Sequence, residues 1–192
     1  MSEAVTPIAE RDASGSLTCM EPSVDLQDTA TPEREVLGWL EFGDASRSLA
    51  RDIVESGFVP DFVIAIARGG LIPGGALAYA LGVKSCGSLN VEFYSDIEET
   101  LPEPIILPPL LDNEPLIGKN VLLVDDVADS GRTLALVVEL LEKVDITVKS
   151  ATLFIKPRSV IAPDFHWKTT DRWIVFPWSA HPPVSAESID AS

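Results

Sequence analysis

The stretch Val121-Leu122-Leu123-Val124-Asp125-Asp126-Val127-Ala128-Asp129-Ser130-Gly131-Arg132-Thr133 constrains this chain more than any other. An unbroken aliphatic run is what a parallel strand covered on both faces needs. It leads into two carboxylates and a turn of small residues, and Leu134 to Leu141 then has the composition of a helix. Strand, loop and helix in that order put the loop at the carboxyl end of a strand, where ligands of open α/β sheets bind. Closely spaced N–H groups at the start of a helix suit a phosphate. Paired carboxylates beside them suit sugar hydroxyls or a divalent cation with oxygen ligands. Phosphate, diol and metal at one strand end describe a site for a phosphorylated sugar.

A second strand, turn and helix precede this one. Phe62 to Ala67 is apolar throughout, and Arg68-Gly69-Gly70-Leu71-Ile72-Pro73 leads into a small-residue helix expected from Gly74 to Leu81. Two glycines permit backbone geometry closed to other residues, and an adjacent Arg can pair with phosphate. Alone, the turn reads equally well as a tight connection with an outward Arg. Elsewhere the pattern predicts a helix capped by Asp44, with Leu49, Ile53 and Val54 on one face and an end near Gly57. Val36 to Leu40 fits either a short strand or a first helical turn. Strands are expected over Val83 to Phe93, Thr147 to Ile155 and Trp173 to Trp178, a helix over Thr133 to Lys143, and irregular chain over Val160 to Thr170. Strands alternating with helices give an α/β fold with a mostly parallel sheet.

The central stretch resembles the phosphoribosyl-pyrophosphate (PRPP) motif of the type I phosphoribosyltransferases: an apolar run, two acidic residues, two variable positions, then Asp-Ser/Thr-Gly-x-Thr. Ala67-Arg68-Gly69-Gly70-Leu71-x-Pro73 resembles the pyrophosphate loop of the same family, in which the peptide after the Arg is often cis. Leu153-Phe154-Ile155-Lys156-Pro157 and Trp173-Ile174-Val175-Phe176-Pro177-Trp178 resemble the base-binding elements of its xanthine–guanine branch. The resemblance runs from about Trp39 to Trp178. It implies the type I phosphoribosyltransferase fold, a mostly parallel twisted sheet flanked by helices, with a small hood and a flexible catalytic loop.

The resemblance also implies an activity: transfer of the phosphoribosyl group of PRPP to guanine, xanthine or hypoxanthine, with release of pyrophosphate and Mg²⁺ as cofactor, in purine salvage. Asp125 and Asp126 would hold the ribose hydroxyls or Mg²⁺, directly or through water. Ala128, Asp129, Ser130, Gly131, Arg132 and Thr133 would cradle the 5′-phosphate, and Asp129 would serve as general base. Arg68 and Gly69 would take the pyrophosphate. Lys156 would contact the purine 6-oxo group, with Trp173 and Ile174 against the base. An ammonium favours an oxo acceptor over an amino group, and an indole face stacks on any purine. Without the family, Lys156 is a solvated strand-end lysine and Trp173 a core residue. Ser130 stands where Thr is commoner, and Arg132 where the branch has a small residue. The expected loop, Tyr94 to about Pro115 with a short strand pair near Ile105-Ile106-Leu107, lies inside Ser85–Gly118. That span has seven acidic residues and no Lys or Arg, so the loop brings no cation to the leaving group.

The remaining composition narrows the partners. A net charge of −16 disfavours nucleic acid and makes a polyanionic substrate depend on backbone N–H groups, a few cations and Mg²⁺. Cys19 and Cys86 form no C-x-x-C pair, which fits a reducing compartment and no cysteine-bound zinc. His166 and His181 are expected to be structural or surface residues. No apolar run approaches a membrane span, and no basic-then-apolar signal opens the chain, so a cytoplasmic protein is expected. Residues 1–33 are expected to be a flexible arm, 34–178 the phosphoribosyltransferase domain and 179–192 a tail. The family resemblance implies a homo-oligomer. A receiver domain is excluded because too little chain follows Asp126, and a Walker-type ATPase because G-x-x-x-x-G-K-[ST] is absent. The remaining alternatives are a non-catalytic PRPP or nucleotide-binding regulator of the same fold, or a transferase for a different acceptor.

Overall fold

The computed structural model describes residues 34–93, 104–106, 116–143 and 145–184 of the 192-residue chain. The elements are β1 (Arg34–Val36), α1 (Trp39–Glu55), β2 (Phe62–Ala67), α2 (Leu71–Leu81), β3 (Cys86–Phe93), β4 (Pro104–Ile106), β5 (Asn120–Ala128), α3 (Arg132–Glu142), β6 (Thr147–Ile155), β7 (Phe165–Thr169) and β8 (Trp173–Val175). Six strands form one sheet in the order β4-β3-β2-β5-β6-β7, and β1 and β8 pair in a separate two-stranded sheet. All pairings are parallel except β3 with β4. The mostly parallel α/β architecture is the one expected, and the β1–β8 pair supplies the hood. Of the expected acidic loop, only 104–106 falls among the described residues, and these pair with β3. The proposed arm lies outside them, as does the tail beyond residue 184.

The alternation of strand side chains divides the core in two. Val63, Leu122 and Val124 pack with Phe42, Leu49 and Ile53 of α1 and Leu77 of α2. Ile64, Ile66, Val121 and Leu123 pack on the opposite face with Leu134, Val137 and Leu141 of α3. Being covered on both faces is why β2 and β5 read as continuous apolar runs. At their amino ends the two strands are locked by Asn120, whose N–H donates to Asp61 Oδ2 (3.0 Å) while its Nδ2 donates to the Val59 carbonyl (3.0 Å). The register then sets Ala65 opposite Val124, which aligns their carboxyl ends.

Several local expectations are corrected. Helix α1 starts at Trp39, with Gly38 rather than Asp44 at its N-cap. Phe42 is already in the buried stripe of Phe42, Ala45, Ser46, Leu49, Ala50 and Ile53, so the helix must begin ahead of it, and Val54 faces outward. Helix α2 starts at Leu71, three residues early. Pro73 falls within its first turn, where a missing N–H removes no helical bond. Val160 to Thr170 is not all irregular: β7 is a short edge strand that packs Phe165 and Trp167 inward and turns His166 and Lys168 outward.

Candidate active site

From β2 the chain crosses to β3 on one side, and from β5 to β6 on the other. The order therefore reverses between β2 and β5, and the carboxyl ends of those strands form the crevice where an open α/β sheet receives ligand. A cleft of about 920 Å³ lies there. Arg68 and Gly69 line it from β2, Asp125, Asp126 and Thr133 from the β5 side, and Trp178 and His181 from the segment after β8. The two loops lie close together: a Cβ on Gly69 would sit 2.5 Å from the Asp126 carboxyl, so any larger residue would push that side chain aside. Gly70 is equally confined, against the carbonyls of Val124 and Ile66. The cis peptide of this loop joins Ala67 to Arg68, one bond earlier than the resemblance implied.

Asp125 and Asp126 are still within β5, which runs on to Ala128 and pairs there with β6. Burial, with its neighbour's charge, pushes Asp125 from 3.8 up to about 8. Burial also pushes Asp126 up to about 6, against the pull of the Val127 and Asp126 backbone N–H groups. The Asp126 N–H donates to Asp125 Oδ1 at 2.9 Å. Two desolvated carboxylates side by side are a donor set that a divalent cation would relieve. No group of three or more His, Cys, Asp or Glu able to hold a metal occurs among the described residues. A cation here would complete its shell with substrate oxygens and water, as suits Mg²⁺.

Beyond the strand, Ala128, Asp129, Ser130, Gly131 and Thr133 line a cavity of about 80 Å³ at the start of α3. Gly131 is in the left-handed region (φ 74°), and a Cβ there would run into Ser159 Oγ. Arg132 has an exposed side chain and does not line this cavity. The loop after β6 is stitched to it: Lys156 N–H donates to the Ala128 carbonyl (3.0 Å) and Val160 N–H to that of Ser130 (2.9 Å).

The expected base-binding residues form a separate group. Lys156 is buried, and its Nζ donates to the Arg172 carbonyl, beside Trp173. Burial lowers its basicity, against the raising influence of Asp129 nearby. Trp173 is 72% exposed, Ile174 packs partly against the core, and neither they nor Lys156 line either cavity.

Two features escaped the sequence reading. Arg158 forms an ion pair with Asp129, its Nε 3.1 Å from Oδ1. Its position three residues past the end of β6 was a usable signal, since strand carboxyl ends carry the ligand loops. Ser179, His181, Pro182 and Pro183, read as tail, line the cleft. Trp178 anchors them by stacking on Phe176 (centroids 4.9 Å apart, planes at 14°) and meeting Phe42 edge-on.

The family model for the phosphoribosyl transferase domain matches residues 34–184. A xanthine-guanine phosphoribosyltransferase of Gluconobacter oxydans is 32% identical over 160 residues, covering 81% of this chain and 90% of that protein. A solved purine phosphoribosyltransferase from Pyrococcus horikoshii is 36% identical with a TM-score of 0.68, covering 79% of this chain and 97% of that one. A Neisseria gonorrhoeae protein solved with bound ppGpp is 25% identical with a TM-score of 0.66, covering 83% and 93%. Sequence motifs, sheet order and these likenesses agree: the chain belongs to the phosphoribosyltransferase family.

Proposed function

We propose that this protein is a Mg²⁺-dependent purine phosphoribosyltransferase that transfers the 5-phosphoribosyl group of PRPP to guanine, xanthine or hypoxanthine and releases pyrophosphate. The observation that carries this reading is the single cleft that Arg68 and Gly69 line together with Asp125 and Asp126, a phosphate-type loop beside an acidic pair. The names of the xanthine-guanine and purine enzymes it resembles support the choice of base.

In this reading the ring of residues from Ala128 to Thr133 binds the 5′-phosphate through its N–H groups and hydroxyls. Asp125 and Asp126 orient the ribose hydroxyls and face the positive charge that grows on the anomeric carbon as pyrophosphate leaves. Arg68 and the Gly69 backbone hold the departing pyrophosphate. Bound Mg²⁺ would neutralise charge on the pyrophosphate oxygens. Asp129 takes the proton from the purine as its nitrogen attacks. Lys156 donates to the 6-oxo group, and Trp173 and Ile174 cover the base. A cytoplasmic homo-oligomer acting on these small molecules, with no nucleic-acid or membrane partner, completes the proposal; no helix among the described residues is long and apolar enough to cross a membrane. Residues 34–178 would carry this chemistry, with Ser179 and His181 to Pro183 completing the cleft.

The test is pyrophosphate release from PRPP and Mg²⁺ with guanine, xanthine, hypoxanthine, adenine, uracil and orotate in turn. Turnover with a 6-oxopurine and none with adenine is expected. A second reading, a nucleotide-binding regulator, is favoured by the ppGpp bound to the Neisseria gonorrhoeae protein. Binding of PRPP or ppGpp without turnover of any base would select it.

A further inference from the structure

The backbone bonds between the loops after β5 and β6 bracket a single pair of side chains. Ala128 and Ser130 accept the N–H groups of Lys156 and Val160. Between the acceptors stands Asp129, and between the donors stands Arg158. A turn closed by Ser159 N–H on the Lys156 carbonyl (3.0 Å) fixes the second loop, and Ser159 Oγ bonds the Ile161 carbonyl (2.7 Å). Arg158 is thereby held facing Asp129, with Nε and a terminal nitrogen both on Oδ1. Oδ2 takes no hydrogen bond among the described residues.

An exposed ion pair of this kind adds little to stability. Here Arg158 is 71% and Asp129 53% exposed. What the pair does supply is orientation: a planar guanidinium gripping one carboxylate oxygen fixes the rotation of the carboxylate and leaves the other oxygen directed. We propose that Arg158 is a positioning residue, which holds Asp129 by Oδ1 so that Oδ2 meets the proton on the purine nitrogen. This rests on the reading of Asp129 as general base. The proton passes from the ring nitrogen to Oδ2 as the bond from the purine to the anomeric carbon forms and the bond to pyrophosphate breaks. Arg158 keeps its own proton throughout. Lys156 belongs to the same turn and feels the charge of this carboxylate, so recognition of the base and aiming of the base catalyst share one loop.

The experiment is a double-mutant cycle on the full chain, with kcat, KM for PRPP, KM for the best 6-oxopurine and Tm measured for each variant. Arg158→Ala should lower kcat about 10-fold, a fraction of the roughly 100- to 10,000-fold that a general base supplies, with KM for PRPP and Tm near those of the wild type. Arg158→Lys should recover part of the loss. In an Asp129→Asn background, Arg158→Ala should change kcat no further. Wild-type kcat in Arg158→Ala, or an undiminished extra loss in the Asp129→Asn background, overturns the proposal. Absence of turnover by the wild type with every base overturns the reading of the site instead, and the proposal with it.

Discussion

At the ends of β2 and β5 the ligand loops are drawn tight at glycines. Gly69 has no room for a Cβ beside Asp126, Gly70 none beside Val124, and Gly131 none beside Ser159. Where the base is expected the surfaces are side chains: Trp173 of β8 is 72% exposed, and Lys156, just after β6, is held by the carbonyl of Arg172. The difference follows from what each half would bind. Phosphates are read by N–H groups, whose geometry is set only when the backbone is fixed, so side-chain variation is suppressed there. A purine is read by one face and a few edge groups, which side chains can supply and also exchange. Substitutions should therefore be poorly tolerated in the first half and re-tunable in the second.

The largest effect is expected of Gly69→Ala. The added methyl would meet the Asp126 carboxyl at 2.5 Å and displace either the loop or the acidic pair. A displacement of about 1 Å costs on the order of 100-fold in rate, so kcat/KM for PRPP should fall by at least about 100-fold. A fall under about 3-fold would show that the phosphate half is not fixed by its backbone. Lys156→Ala probes the other half. Loss of a charge-assisted hydrogen bond is worth about 1.5–3 kcal/mol, or roughly a 10- to 100-fold rise in KM for the 6-oxopurine, with KM for PRPP little changed. An unaltered preference among guanine, hypoxanthine and adenine would remove Lys156 from the base site.

The acidic pair distinguishes the halves through pH. Asp125 at about 8 and Asp126 at about 6 both lie above their ordinary 3.8. The folded chain therefore keeps protons that the unfolded chain has already lost, and ligand-free stability should fall as pH rises from about 4 towards 8. Asp125→Asn removes the larger contribution. Its Tm should vary less between about pH 5 and 8 and stand higher at the upper end by roughly 2–4 °C, for a gain near 1 kcal/mol, while turnover is lost. A Tm profile parallel to the wild type would locate the pH dependence elsewhere. The smallest effect concerns Thr152, which sits opposite Asp125 on β6, fully buried, its hydroxyl without a partner among the described residues. Thr152→Val keeps the shape and removes the unsatisfied group, so urea denaturation should show a gain of up to about 1 kcal/mol; a loss would mean that the hydroxyl has a native partner.

Much of this fold was legible because of where its strands lie. Phe62–Ala67 and Thr147–Ile155 were read to the residue: the first, buried on both faces, is an unbroken apolar run, and the second alternates toward an apolar end. The motif loops followed from the strand ends. What escaped depended on contacts far apart in the chain. The β1–β8 pairing joins two three-residue strands across most of the domain, and neither has enough length to show a period. β7 did alternate, Phe165 and Trp167 against His166 and Lys168, but an edge strand carries too much polarity to stand out. The start of α1 was missed because Phe42 and Trp39 are drawn in by Trp178. Arg158 meets Asp129 across 29 positions, and no local spacing announces such a pair.

The order β2-β5-β6 has a metric consequence. Adjacent strands stand about 4.8 Å apart, so the three ligand loops at their ends are ruled off at that interval. The span from the Arg68 loop to the Lys156 loop is then about two intervals, roughly 10 Å, the length over which a donor's leaving group, sugar and acceptor must be laid end to end. The sheet works as a gauge: it admits molecules by how their parts are spaced before any side chain reads what those parts are.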